Sequence, residues 1–319
     1  MSGSDIDDGP RLILACEEPE LFQHPPQSRY LGDVFRRLST RNTQVLVCTH
    51  SPHFVVGDHF ENIRLVRKAP GASQATISAA TWQEVAARLA AATGKAPLRE
   101  EQGALATIHQ ALTTSINEMF FTPVLVLVEG AEDVAYVTAY LNLLGLWEEW
   151  RRLGCHIVAT DRKSNMLRPL CVAKALRIPT FVCFDADGHD KNGNHERDNK
   201  ALLTLCGLTN PDAYPPTTLW GDDVVVWPST LGMIVHEELA SDAWSKVKAE
   251  VEARYGQPGS LSKNGLFIAD VLSAAWEQGV RSKSLEKLCA QMLKFARDIS
   301  SIVSPLVAPA KPLEAEATT

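Results

Sequence analysis

VLVLVEGAED at 124–133 is a run of Val and Leu that stops abruptly at Glu129, and FVCFDADG at 181–188 repeats the pattern with Asp185 and Asp187. A short, wholly apolar run rich in β-branched residues predicts a strand buried on both faces of a parallel sheet. Open α/β sheets bind ligands beyond the carboxyl ends of their strands, so each run delivers acids to that edge. Carboxylates gathered there repel one another unless a cation lies between them. Oxygen ligands without His or Cys select magnesium or manganese over zinc.

Outward from these two runs, the sequence alternates between 123 and 227: strand 124–128, helix 132–144, strand 155–159, helix 166–176, strand 180–185, helix 197–206, strand 223–227. Val134, Val137, Leu141 and Leu144 share one face of the first helix, the spacing needed to pack on a sheet. The expected fold class is α/β, a parallel sheet flanked by helices. Upstream, RLILAC at 11–16 and QVLVCT at 44–49 predict strands on either side of a helix over Tyr30–Leu38, with a third strand in NIRLVRK at 62–68. Helical spacing then runs from Thr76 to Phe120, broken around Gly94–Pro97. Beyond Pro228, helices are expected over Leu239–Tyr255, Leu266–Gln278 and Leu285–Ile302, followed by a Pro/Ala-rich tail with too few apolar residues to order itself.

With 319 residues, 45% of them hydrophobic, the chain can bury a substantial core in two to three structural units. A net charge of -7 gives no global basic footprint, so contact with DNA must come from a local patch or through bound cations. The seven cysteines form no CxxC pair, and Cys16, Cys48 and Cys183 lie inside apolar runs, which fits a reducing cytoplasm. The opening residues lack the order of a signal peptide and no apolar run is long enough to cross a bilayer, so a soluble protein without a membrane partner is expected.

The acids have a consistent placement. Glu129 ends one strand, Gly130 allows a tight exit, and Asp133 falls in the first turn of the following helix. Asp185 and Asp187 bracket Ala186 at the end of a neighbouring strand, and Gly188 releases the chain. Helix capping and turn formation account for Asp133 and Asp187, but not for a Glu that ends a buried strand. DRKSNMLR at 161–168 offers Arg162, Lys163, Ser164 and Arg168 for phosphate or DNA contact beside the same edge, or equally a polar loop that caps a helix.

A strand ending in Glu-Gly, then a strand ending in a DxD triplet, resembles the Toprim domain of topoisomerases, primases and some nucleases. The resemblance implies Glu129 as the invariant acid, Asp185 and Asp187 as the DxD pair, and Asp133 as the second acid of the nuclease branch. LILACEEPELFQHP at 12–25 resembles the Walker B segment of ABC, SMC and RecF-like ATPases, and VCTHSPHF at 47–54 resembles their switch-histidine strand. This implies an ATP-site remnant in which Glu17 is the metal-linked acid, Glu18 activates water and His50 senses the γ-phosphate. The chain has no GxxxxGK[ST], so ATP is expected only where another segment or an ATPase subunit supplies that loop.

The order of a truncated ABC-type ATPase, a helical stretch and a Toprim domain resembles the overcoming-lysogenization-defect (OLD) nucleases. It implies a division into an ATPase remnant at 1–70, a helical connector at 71–120, a Toprim catalytic domain at 121–235, a helical region at 236–305 and a disordered tail at 306–319. It also implies cutting or nicking of DNA through two magnesium or manganese ions held by Glu129, Asp133, Asp185 and Asp187, a role in phage defence and a homo-oligomeric full-length protein. Glu129 and Asp185 would be catalytic, together with a lysine after the sheet. That lysine is best matched by Lys263 in SLSKNGLF, with Lys283 as rival. In WPSTLGMIVHEEL, Gly232 stands where the family has a further acid, which leaves Asp222, Asp223 and Glu237 as candidates for the third metal-binding element. Two other readings remain open. A haloacid-dehalogenase-like phosphatase would use Asp185 as nucleophile and Asp187 as acid, but would leave Glu129 idle. A noncatalytic scaffold binding DNA or a partner ATPase would keep the acids for a structural metal.

Overall fold

Strand β1 (Leu12–Glu17), helix α1 (Pro25–Ser39) and strand β2 (Thr43–Cys48) form one βαβ unit whose strands pair in parallel, with Glu17 opposite Cys48. The structure is a computed structural model that describes residues 12–40, 42–68, 73–240, 242–256, 261 and 263–303; the expected tail at 306–319 lies outside them. Leu12, Ile13, Phe22, Tyr30 and Leu46 of this unit are exposed, an apolar surface that no described part of the chain covers.

The run at 62–68 contains the expected strand, β3 (Leu65–Arg67), which pairs antiparallel with β4 (Thr76–Ser78) in a separate small sheet; one expectation in this stretch is corrected. Residues 76–78 are therefore a strand and not the start of the helical stretch. Thr-Ile-Ser carries β-branched side chains and is too short for its period to show in sequence. Helix α2 (Trp82–Thr93) begins at a capping box between Thr81 and Glu84 and ends at Gly94, whose φ of 67° is the left-handed conformation that stops helices. Helix α3 (Glu101–Ala111) and a 3-10 segment at Ile116–Phe121 complete the connector. The Asn117 amide donates to Val55 O at 2.9 Å and the Arg67 guanidinium to Thr122 O at 3.0 Å, joining the connector to the elements on either side.

The five-stranded sheet contains the motifs. In chain order it is built from β5 (Val124–Val128), α4 (Ala131–Leu143), α5 (Trp147–Arg152), β6 (Cys155–Ala159), α6 (Lys163–Ala175), β7 (Thr180–Asp185), α7 (Gly193–Leu205), β8 (Leu219–Trp220) and β9 (Val224–Trp227). The strand order is β6-β5-β7-β9-β8, parallel except for the edge strand β8. Residues 155–159 and 180–185 are strands over their expected spans. The short elements α5 and β8 were not expected, because neither is long enough to show a period.

Each face of this sheet carries a helical layer, which is why β5 is apolar throughout. Val126 and Val128 face a core shared with α4, α8 (Leu231–Leu239), α9 (Asp242–Tyr255), α10 (Gly265–Glu277) and α11 (Lys283–Val303). Leu125 and Leu127 face the opposite core, shared with α2, α3, α6 and α7. Among the described residues, no helix is long and apolar enough to cross a membrane.

Candidate active site

From β5 the chain passes to β6 on one side of the sheet, then returns across β5 to form β7 on the other. Neighbouring parallel strands whose connections depart in opposite directions leave a crevice beyond their carboxyl ends, the topological switch point of α/β sheets. Glu129 follows β5 and Asp185 ends β7, so the two acids flank that crevice.

Each acid is held by a different partner. Asp133 Oδ2 accepts the backbone N–H of Gly130 at 2.9 Å, closing the first turn of α4 on the strand it follows. Asp185 Oδ1 accepts the backbone N–H of Leu231 at 3.0 Å, at the amino end of α8. Asp187 adopts a left-handed φ of 54°, and its Oδ2 lies 2.5 Å from Lys163 Nζ and 3.1 Å from His195 Nδ1. Glu129 Oε2 is buried without a hydrogen-bond partner. With the side chains committed in this way, no group of three or more His, Cys, Asp or Glu among the described residues is arranged to hold a metal ion. A shared ion therefore requires these carboxylates to turn from their present partners.

The electrostatics show that the acids nevertheless crowd one another. Burial pushes the Asp185 carboxyl well above the usual carboxylate range, and the charges of Asp133 and Glu129 push it further against the opposing Leu231 N–H. Burial raises Asp133 to about 7, opposed by the Gly130 N–H and reinforced by Glu129 and Glu132. Glu129 is also raised, first by burial; the Lys163 ammonium opposes this and Asp187 adds to it. A buried carboxyl with like charges beside it and an unpartnered oxygen is chemically suited to a hard cation.

The loop after β7 is built to hold Asp185 and Asp187 in place. Ala186 N donates to Trp227 O at 2.7 Å and Gly188 N to Pro228 O at 2.8 Å, so the DxD segment runs against the exit of β9. A Cβ on Gly188 would lie 2.5 Å from Pro228 O, which explains the glycine by close approach. Asn199 of α7 is fully buried and donates its side-chain amide to Ala186 O and Ala213 O, both at 2.8 Å. This role is not legible from sequence, because a lone Asn on a polar helix looks like solvated surface.

Several other site expectations change. Lys163 is not a surface phosphate contact: it is 4% exposed and paired with Asp187, because the first turn of α6 points into the cluster. Arg162 and Ser164 beside it are exposed, while Arg168 is half-buried with its Nε lacking a partner. Asp222 and Asp223 precede β9 and therefore lie at the amino end of the sheet, away from the acids; Asp223 pairs there with Lys174 at 3.0 Å. Glu237 is exposed late in α8. The segment after β9 contributes the Leu231 N–H in place of an acid. Lys263 Nζ lies 3.0 Å from Glu132 Oε1, a pairing that raises its pKa with further contributions from Asp185 and Glu129; Lys283 is exposed at the start of α11. In the first sheet, His50 Nε2 lies 3.7 Å from Glu18 Oε1, and Glu20 Oε1 accepts the His50 N–H at 2.8 Å. Glu17 is exposed at the end of β1.

Comparison with known proteins agrees with this layout. Residues 2–55 match the AAA ATPase domain, and residues 120–187 match the overcoming lysogenization defect protein-like TOPRIM domain. The chain is 26% identical to the OLD nuclease of Thermus scotoductus over 203 residues, which cover 59% of this chain and 35% of that protein. It is also 26% identical to the Old nuclease of Escherichia phage P2 over 176 residues, covering 55% of this chain and 28% of that protein. The chain thus spans about a third of the length of the curated relatives it matches. Among solved structures, it is similar to the C-terminal region of the Burkholderia pseudomallei OLD protein, with 18% identity, a TM-score of 0.31 and coverage of 57% of this chain and 88% of that one. The C-terminal region of the Xanthomonas campestris pv. campestris OLD protein gives 14% identity, a TM-score of 0.38 and coverage of 58% and 96%. The chain is thus similar to OLD nucleases over part of its length, with a match to an AAA ATPase domain preceding a match to an OLD-like TOPRIM domain.

Proposed function

We propose that the chain carries the cation-dependent phosphodiester-cleaving module of a DNA endonuclease coupled to an ATPase. The observation that carries the reading is the crowding of Glu129, Asp133 and Asp185 at the switch point, where burial raises all three and the charge of a neighbouring carboxylate adds to each. Magnesium or manganese would be held by these acids with Asp187, and when bound would lower the pKa of a water and neutralise charge on the phosphate. Glu129 and Asp185 present the charge that binds and orients the reacting groups. Lys263, tethered to Glu132 at the rim, faces negative charge developing on the substrate. Arg162 and Ser164, exposed at the start of α6, are placed to contact the DNA backbone. The division at 70, 120, 235 and 305 belongs to the same proposal. So do ATP binding by Glu17, Glu18 and His50 once a phosphate-cradling loop is supplied, homo-oligomerisation and a setting in phage defence.

The test is nicking of supercoiled plasmid across a metal series, beside Asp185→Ala. Cation-dependent nicking by wild type and none by the folded variant is expected. Cutting in excess chelator without added cation overturns the reading, and cation binding without any nicking points to a scaffold.

A further inference from the structure

We propose that Lys163 is a positioning residue that acts as a tethered cation within the acid cluster, claiming Asp187 and so making the cluster's two cation positions unequal. The inference deepens the cation-dependent reading and rests on it. Lys163 is the first residue of α6 and is 4% exposed. Its Nζ reaches Asp187 Oδ2 at 2.5 Å and lies 3.4 Å from His195 Nδ1, which is itself 3.1 Å from the same carboxylate oxygen. The other nitrogen of that ring, Nε2, is 3.9 Å from Asp190. An ammonium taken this far from water persists only where charge compensates it, so it is a resident of the site and not a side chain waiting for substrate.

The compensation is uneven across the cluster. Asp133 and Asp185 have only backbone N–H donors, and Glu129 keeps one buried oxygen with no donor. Asp187 Oδ2 is paired with the Lys163 ammonium, with the His195 Nδ1 3.1 Å away, which leaves Oδ1 as the freer oxygen for a further ligand. Lys163 is also the largest attractive charge acting on Glu129, so its ammonium bears on both carboxylates. A first divalent cation therefore meets Asp133 and Asp185, which no ion pair among the described residues neutralises, and the unpartnered Oε2 of Glu129. A second, at Asp187, must compete with a fixed positive charge a few ångströms away, and removing that charge strengthens its binding by at least about tenfold.

The experiment is calorimetric titration of the full chain with manganese chloride, comparing wild type, Lys163→Met, Lys163→Arg, Asp187→Asn and the double variant Lys163→Met/Asp187→Asn. Wild type should bind one Mn2+ tightly and a second weakly. Lys163→Met should tighten the second event at least tenfold, Lys163→Arg should match wild type, and Asp187→Asn should keep the tight event and lose the weak one. Without cation, Lys163→Met should melt below wild type, and the double variant should recover part of that loss. A folded Lys163→Met with the wild-type isotherm overturns the proposal, as do two equally tight events in wild type, loss of the tight event in Asp187→Asn, or no Mn2+ binding by any form. Where Lys163→Met does not fold, the Asp187→Asn and double-variant isotherms decide. Absence of nicking with these isotherms intact would count against the nuclease reading alone.

Discussion

Asn199 reaches back from α7 to donate its side-chain amide to the carbonyl of Ala186, the residue between the two aspartates of the DxD triplet, at 2.8 Å. The same amide also satisfies Ala213 O, so one buried side chain ties the end of β7 to two loops. Asn199→Ala leaves two carbonyls without a donor in a site closed to water and should destabilise the fold by about 1–3 kcal/mol. Plasmid nicking should fall further than stability does, because Asp185 and Asp187 lose their anchor; denaturant melts and nicking rates on the same preparation separate the two. Unchanged nicking in a destabilised Asn199→Ala would refute the anchoring role.

Asp133 gives a pH signature. Its carboxyl is raised from 3.8 to about 7 by burial, so the folded state holds the proton more tightly than the unfolded chain does. Its contribution to stability is present in full below 3.8 and is lost as pH rises through about 7. Thermal melts in chelator should therefore decline between those limits, and Asp133→Asn should flatten the decline. Saturating manganese should raise the melting temperature most at the alkaline end, where the carboxylates are ionised, and at about 100-fold excess over Kd should contribute about 2.7 kcal/mol.

Asp185→Asn keeps an oxygen for the Leu231 N–H while removing a buried charge that Asp133 and Glu129 repel. In chelator this variant should melt at or above the wild-type temperature, yet show no cation-dependent nicking. A marked loss of stability would mean that the charge itself holds α8 in place.

Gly188→Ala sets a Cβ 2.5 Å from Pro228 O, a backbone atom with little room to yield. We expect a loss of about 1–3 kcal/mol by chemical denaturation, the cost of overpacking a tight contact. A neutral result would show that the exit of β9 can move.

What could be read from sequence followed from period and length. VLVLV and FVCFD state their burial in every residue, so β5, β7 and the acids beyond them were legible without coordinates. The strands at 65–67 and 76–78 are too short for a period to register, and their pairing with each other is a tertiary fact. The burial of Lys163 is hidden in sequence for a different reason. Its neighbours Arg162 and Ser164 are exposed, and only the direction of the first turn of α6 distinguishes a buried ammonium from a surface one. Asp222 and Asp223 precede β9 and so lie at the amino end of the sheet, a position that follows from the direction of the strand and not from the residue types.

The bare leucine, isoleucine, phenylalanine and tyrosine side chains around β1 and β2 also bear on the handling of this molecule. Colloidal behaviour at high concentration will be governed by that end, remote in sequence from the chemistry, since exposed large apolar side chains promote adhesion between copies. Charged replacements at Ile13 and Phe22 should give clearer preparations while leaving the carboxylate crevice untouched.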